Sequence, residues 1–357
     1  MAFIKLYREK LKHNYTFLNN LFKERNIEWG VVTKLLCGNT IYIKEVINLG
    51  VTEMHDSRIS NLKKIKKLGS NIKTVYIKPP SKRNISKIVQ YADVSFNTEI
   101  YTIQMLSEES KRQNKTHGII IMIEMGDLRE GVLGEELLNF YEQVFSLPNI
   151  EIRGIGTNLN CLSGVMPTQD KLIQLSLYKQ LIEAKFNVKI PWVSGGTSVA
   201  IPLMLKNARP MAVNHFRIGE ALFFAKDLFT GETIEGMYND VFKLYAEIIE
   251  ITEKPDNPVG ELGENVAGNT YEITEETDLS ATSLRAILDI GLLDMQPQYL
   301  ETDNPNITIV DASSDMMVID ISNSEKNYNV GDLISFKLQY MGALYLLNSD
   351  YIEKVVE

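Results

Sequence analysis

Gly118-Ile119-Ile120-Ile121-Met122-Ile123-Glu124 is the clearest buried strand in the chain. Its apolar run does not alternate with polar residues, so both faces are covered. Strands of that kind belong to parallel sheets flanked by helices. Working outward, the same strand–helix unit recurs. Helical spacing of apolar residues marks 7–27, 41–49, 59–68, 85–91, 99–113, 134–146, 167–185 and 201–205. Strands between them end near residues 34, 57, 78, 97, 124, 157, 193 and 217, spaced 19 to 36 residues apart. Eight strands alternating with helices predict a (β/α)8 TIM barrel, in the α/β class. An open doubly wound sheet has the same local pattern, but no strand is followed by Gly-x-Gly-x-x-Gly.

Beyond about residue 229 the helical period fades. Short strand-like runs at 242–249, 283–288 and 316–321 are separated by turn residues such as Lys254-Pro255-Asp256-Asn257-Pro258. The sequence thus predicts a barrel domain over 1–228 and a mostly-β domain over 229–357. The 357 residues carry a net charge of −9, which disfavours nucleic acid or an anionic membrane as partner. Two cysteines and four scattered histidines show neither disulfide nor metal-ligand spacing. The first residues lack an apolar signal core, and no apolar run reaches membrane-spanning length. A cytoplasmic protein is expected.

Barrel active sites form at the C-terminal strand ends. The first strand, Gly30-Val31-Val32-Thr33-Lys34, ends in a lysine where it leaves the core. A buried lysine is a usable amine nucleophile and forms Schiff bases with carbonyl cofactors. The plainer reading is a lysine pointing to water. The other ends carry Glu124 to Gly131 with Arg129, Gly156 to Cys161 with Asn158, Ser194-Gly195-Gly196-Thr197-Ser198, and Arg217 to Ala221. The Ser-Gly-Gly-Thr-Ser segment suits an oxyanion or is an ordinary capped turn. Arg129 and Arg217 are cofactor contacts or surface ion-pair partners. Asn158 is a ligand contact or a turn residue. One lysine, an anion loop and two arginines on one rim suit pyridoxal 5'-phosphate.

With these residues placed, the chain resembles the fold-type III pyridoxal-phosphate enzymes of the alanine racemase type, and more closely their alanine/ornithine racemase branch. The matching motifs are VVTKLLCG, MHDSRISNLKKIKKL, MGDLREG, GIGTNLNCLSGVMPT, VSGGTS, FRIGEAL, EKPDNPVGELGE and ASSDMMVIDI, in order along nearly the whole chain. The resemblance implies an amino-acid racemase that interconverts L- and D-enantiomers, of ornithine or another basic amino acid. Bacterial ornithine racemases of this branch include those that supply D-ornithine for siderophore synthesis. It further implies that Lys34 holds the cofactor and serves as one base. Arg217 would donate to the pyridine nitrogen, Arg129 would lie near the phenolic oxygen, and Asn158 against the ring. Ser194 to Ser198 and Gly219 would hold the phosphate. A homodimer would complete the site.

The chain also departs from the alanine racemase pattern. Leu292 stands where that family has its opposite-face tyrosine, and Gly38 where it has a phosphate-contacting tyrosine. The candidates left for a second base are Cys37, Cys161 and Asp315. Asp315 is the preferred contact for a cationic substrate. Asp289 and Asp294 are further carboxylates of the same domain. Alanine racemisation, decarboxylation of a basic amino acid and a non-catalytic pyridoxal-phosphate carrier are the rival functions. The absence of cysteine after Cys161 argues against the decarboxylase, and the second domain against the carrier.

Overall fold

A computed structural model describes residues 2–206, 213–264, 268, 270–271 and 280–357. The chain divides into two compact units. One is Glu9–Asn239, and the other joins Met1–Arg8 to Asp240–Glu357. The sequence places a single cut after residue 228, whereas this division falls after Asn239 and gives the first residues to the second unit. The cause is the strand β1 (Phe3–Leu6), which pairs within that second unit.

In the first unit strands and helices alternate. After α1 (Arg8–Lys23) come β2 (Glu28–Val32), α2 (Thr40–Asn48), β3 (Glu53–Asp56), α3 (Ile59–Leu68) and β4 (Lys73–Tyr76). Then follow α4 (Ile85–Tyr91), β5 (Val94–Asn97), α5 (Ile100–Arg112), β6 (His117–Met122), α6 (Leu137–Phe145), β7 (Ile150–Gly156) and α7 (Gln169–Phe186). The unit ends with β8 (Trp192–Ser194), β9 (Gly196–Thr197), α8 (Ile201–Leu205), β10 (His215–Ile218) and α9 (Glu220–Phe224). All six residues of β6 are buried, as its unbroken apolar run requires. Asn39 caps α2 by accepting from the Ile41 and Tyr42 amides, and Glu99 caps α5 by accepting from Thr102.

The strand order is β8-β7-β6-β5-β4-β3-β2-β10-β9, all pairs parallel. Only Gly195 separates β8 from β9. The seventh barrel strand therefore pairs with β7 through Trp192–Ser194, turns at Gly195, and pairs with β10 through Gly196–Thr197. That closes the eight-stranded ring. Val75, Val94, Phe96, Ile120, Met122 and Trp192 form a buried cluster within it. A Cβ at Gly196 would fall 2.2 Å from the Phe216 ring, so the residue is glycine for packing as well as for turning.

The second unit is an eight-stranded sheet. Its strands are β11 (Phe242–Pro255), β12 (Thr282–Leu288), β13 (Leu300–Thr302), β14 (Thr308–Ala312), β15 (Met317–Asp320), β16 (Leu333–Leu338) and β17 (Glu353–Val356), together with β1. They are antiparallel apart from β1 with β17. Among the described residues the helix α10 (Tyr340–Asn348) interrupts them; its apolar run lacks the turn punctuation around it. Among the described residues no helix is long and apolar enough to cross a membrane.

Candidate active site

Arg217 lies in β10 beside Gly30 of β2 and Thr197 of β9, and is 4% exposed. Its Nη1 donates to the Ser194 carbonyl at 2.6 Å and to Ser194 Oγ at 2.7 Å. Nη2 donates to the Thr157 carbonyl at 2.7 Å. The guanidinium carbon stands 5.2 Å from the Phe96 ring centroid. Burial pulls its pKa down to about 10, against the nearby Cys161 and Glu130, while Arg129 adds to the fall. No carboxylate lies within ion-pairing distance of it among the described residues. A buried guanidinium held only by neutral acceptors, with two of its five donors unused there, is poised for a ligand acceptor.

Beneath Arg217 the barrel interior holds a polar chain. Ser194 Oγ is 2.7 Å from His215 Nδ1, and His215 Nε2 is 2.7 Å from Glu53 Oε1. His55 Nε2 meets the same oxygen at 2.7 Å. Lys73 reaches Glu53 Oε2 at 3.2 Å. Burial pushes the Glu53 carboxyl up, but the bonds from His215 and His55 outweigh it and hold it well below the usual range. Burial pulls His55 down to about 4. Sequence spacing shows no histidine cluster, yet Glu53, His55 and His215 place potential ligand atoms within 4.8 Å of one another. His215 is 162 residues from Glu53, so only β10's place in the ring reveals this. The residue that makes room is Gly30, where a Cβ would fall 2.3 Å from His55 Nε2.

Lys34 opens a short 3-10 turn, Lys34–Leu36, directly after β2. It is exposed, so the burial expected from the strand reading is not found. Its neighbours Thr33, Leu35 and Leu36 are buried and fix the backbone. Thr33 Oγ1 donates to Asp56 Oδ2 at 2.9 Å. Cys37 follows in the left-handed region, with φ 48°. A Cβ at Gly38 would fall 2.4 Å from Asn61 Oδ1, so this position has no space for a tyrosine. Glu220, the first residue of α9, feels the charge of Lys34; burial raises its pKa, while Lys226 and Lys34 oppose that. Glu220 belongs to the Arg217 to Ala221 strand end, where the sequence assigns it no role.

Asp127 ties two rim loops together. It is 1% exposed and accepts from the backbone amides of Cys161 (3.1 Å), Leu162 (3.0 Å), Ser163 (3.2 Å) and Val165 (3.3 Å). Arg129 pairs with Glu130, which raises its pKa, and the exposed Cys161 adds to that rise. Asn158 follows the carbonyl that Arg217 uses, and its Nδ2 is buried without a partner. Ser194 faces inward, so its side chain serves Arg217 and His215 and not an oxyanion. Ser198 Oγ accepts from Ala221 at 3.1 Å and Gly219 at 3.4 Å, joining the segment to the start of α9. Gly195 packs against Leu175, where a Cβ would fall 2.9 Å away. Asp315 lies in the second unit, exposed, and accepts from Ser314 Oγ at 2.8 Å. Leu292 donates its amide to Ser313 at 2.8 Å, which joins the two segments singled out there.

The model of the alanine racemase N-terminal domain matches residues 7–227. An ornithine racemase of Acetoanaerobium sticklandii is 38% identical over 346 residues, 97% of this chain and 96% of that protein. A lysine racemase of Thermotoga maritima is 28% identical over 349 residues, 98% and 96% of the two chains. The alanine racemase of Bartonella henselae, solved with covalently bound pyridoxal phosphate, superposes with TM-score 0.75 at 16% identity over 100% of this chain and 99% of that one. That of Clostridium difficile 630 gives 0.74 at 15% identity over 100% and 95%. Together with the barrel and its antiparallel companion, these matches mean that the chain belongs to the alanine racemase family.

Proposed function

We propose that this protein is a pyridoxal-phosphate-dependent racemase of basic amino acids, with ornithine as the foremost substrate and lysine next. The observation that carries the reading is Arg217, a buried cation at the rim with unused donors and no carboxylate beside it. Those donors suit the ring nitrogen of the cofactor. The orphan amide of Asn158 is a second group awaiting a partner. The likeness to an ornithine racemase and a lysine racemase supports a basic substrate.

Lys34 anchors the cofactor and moves the proton at the substrate Cα on one face. When bound, the cofactor delocalises the negative charge left on that carbon. Arg217 keeps the ring nitrogen as an acceptor. Arg129 and Asn158 would hold the ring, and Thr197, Ser198 and Gly219 would hold the phosphate. Cys161 serves the opposite face. It lies near enough to Arg129 to influence that cation, whereas Cys37 lies in the turn after Lys34 and Asp315 in the other unit. Asp315 meets the substrate's side-chain ammonium. The enzyme works as a homodimer in the cytoplasm, and supply of D-ornithine for siderophore synthesis is its proposed use.

The test is chiral chromatography of L-ornithine, L-lysine and L-alanine incubations, alongside the visible absorbance of the purified protein. Ornithine or lysine turns over fastest, and Lys34→Ala abolishes both the visible band and turnover. A diamine as sole product, or binding without turnover, overturns the reading. Cys161→Ser retaining full racemisation would remove that residue from the mechanism.

A further inference from the structure

We infer that Glu53, His55 and His215 form a positioning relay through the barrel interior, which orients the Ser194 hydroxyl so that it accepts from Arg217. The inference rests on the racemase reading for its consequence, but its geometry stands without that reading.

Proton bookkeeping gives each group one role. Arg217 has only donors, so Ser194 Oγ accepts from Nη1. Glu53 Oε1 only accepts, so a neutral His215 carries its proton on Nε2 and donates it there. The serine gives its own proton to the bare Nδ1. His55 donates to the same oxygen from Nε2, and its Nδ1 is left buried without a partner. One carboxylate oxygen thus sets the tautomer of both rings. Lys73 balances the carboxylate from the other oxygen.

The surroundings hold the relay in place. Trp192 stacks on His215 at 4.3 Å and 15° between planes, and its Nε1 donates to Glu28 at 3.2 Å. Lys73 lies 4.4 Å over the same indole. Gly30 leaves the volume that His55 and Glu53 fill. The reason such a chain matters is the torsional freedom of a serine hydroxyl. Turned the other way, it presents hydrogen to a guanidinium that cannot accept. His215 removes that option. The plane of Arg217 is then pinned by two acceptors on β8 and one on Thr157, just after β7.

The tautomers are read first, in the protein without cofactor, by a long-range 1H–15N spectrum of protein labelled at its four histidines. His13→Gln and His117→Gln assign the signals. The expected result is His215 and His55 both carrying a proton on Nε2 alone. His215 protonated on Nδ1, or as the imidazolium, overturns the relay. So does Zn2+ shifting both Nε2 signals together, which would make the cluster a metal site.

The consequence is read in the holoenzyme. His215→Phe breaks both bonds and is expected to lower kcat on the order of 100-fold with KM nearly unchanged, and to shift the visible band of the bound cofactor. His215→Gln, which keeps a donor toward Glu53, recovers part of the loss. Should His215→Phe not fold, Ser194→Ala cuts the chain by a single hydroxyl. Wild-type kcat and absorbance in the cut variant overturn the proposal. A wild-type protein that binds no pyridoxal phosphate overturns the racemase reading instead, and the tautomers then judge the relay by themselves.

Discussion

Arg217 bonds Ser194 twice from one nitrogen, at 2.6 Å to its carbonyl and 2.7 Å to its hydroxyl. The third bond, to Thr157, reaches the residue just after β7. A lysine has the charge but not the fork. Arg217→Lys is therefore expected to leave one carbonyl unsatisfied, costing about 1–3 kcal/mol of stability. Racemisation should fall by more than about tenfold through lost orientation. Urea unfolding and kinetics check this, and a lysine variant equal to wild type in both would refute it.

Asp127 accepts four backbone amides with two oxygens. Burial raises its carboxyl pKa, but those amides outweigh it and hold it below the usual range. Asp127→Asn keeps the shape and loses one acceptor and the charge. A loss of about 2 kcal/mol is expected. Faster proteolysis within 158–168 should accompany it, because that loop loses its anchor. Unchanged cleavage would show that the loop holds itself.

Gly30→Ala puts a methyl 2.3 Å from His55 Nε2 and 2.9 Å from Glu53 Oε1. Both neighbours are buried and hydrogen-bonded, so neither yields easily. Destabilisation of about 1–3 kcal/mol follows. The melting temperature reads it, and an alanine variant as stable as wild type would mean that the pair has room to shift.

Acid should weaken the barrel unit. Burial pulls His55 and His117 down from 6.5 to about 4. Between those values the unfolded chain binds protons that the folded imidazoles refuse. Their contribution is complete above pH 6.5 and is lost as pH falls toward 4, by up to about 1.4 kcal/mol per pH unit each. Glu53, lowered by its two histidines, acts in the same sense at lower pH. Asp56 opposes them: burial raises it from 3.8 to about 6, so it favours the folded state more as pH drops through that range. Two histidines outweigh one carboxyl. The urea midpoint should fall between pH 6.5 and 4, and His117→Gln should flatten the slope. A midpoint that rises on acidification contradicts this.

Much of the barrel is legible locally. The α3, α4 and α8 helices match their predicted ranges to the residue, and the β5 and β7 strands end within one residue of the expected positions. Each carries a clean period and a clear stop, and local periodicity reports which face is buried. The rim residues Lys34, Arg129, Asn158 and Arg217 follow, because parallel strands put their C-terminal ends on one side.

What a side chain touches across the ring is a different matter. Lys34 is exposed although its strand is apolar, because the chain turns immediately after Val32. The sequence puts Ser194 in an anion loop, yet its side chain faces Arg217 and His215 from within. β1 left the barrel, because its pairing partners lie more than 230 residues away. The sequence by itself determined the strand–helix alternation and which residues stand at the C-terminal strand ends, since both depend on short-range pattern. Only the tertiary structure decided that Glu53, His55 and His215 share one buried site beneath Arg217, because strand register, and not spacing along the chain, sets which interior residues meet.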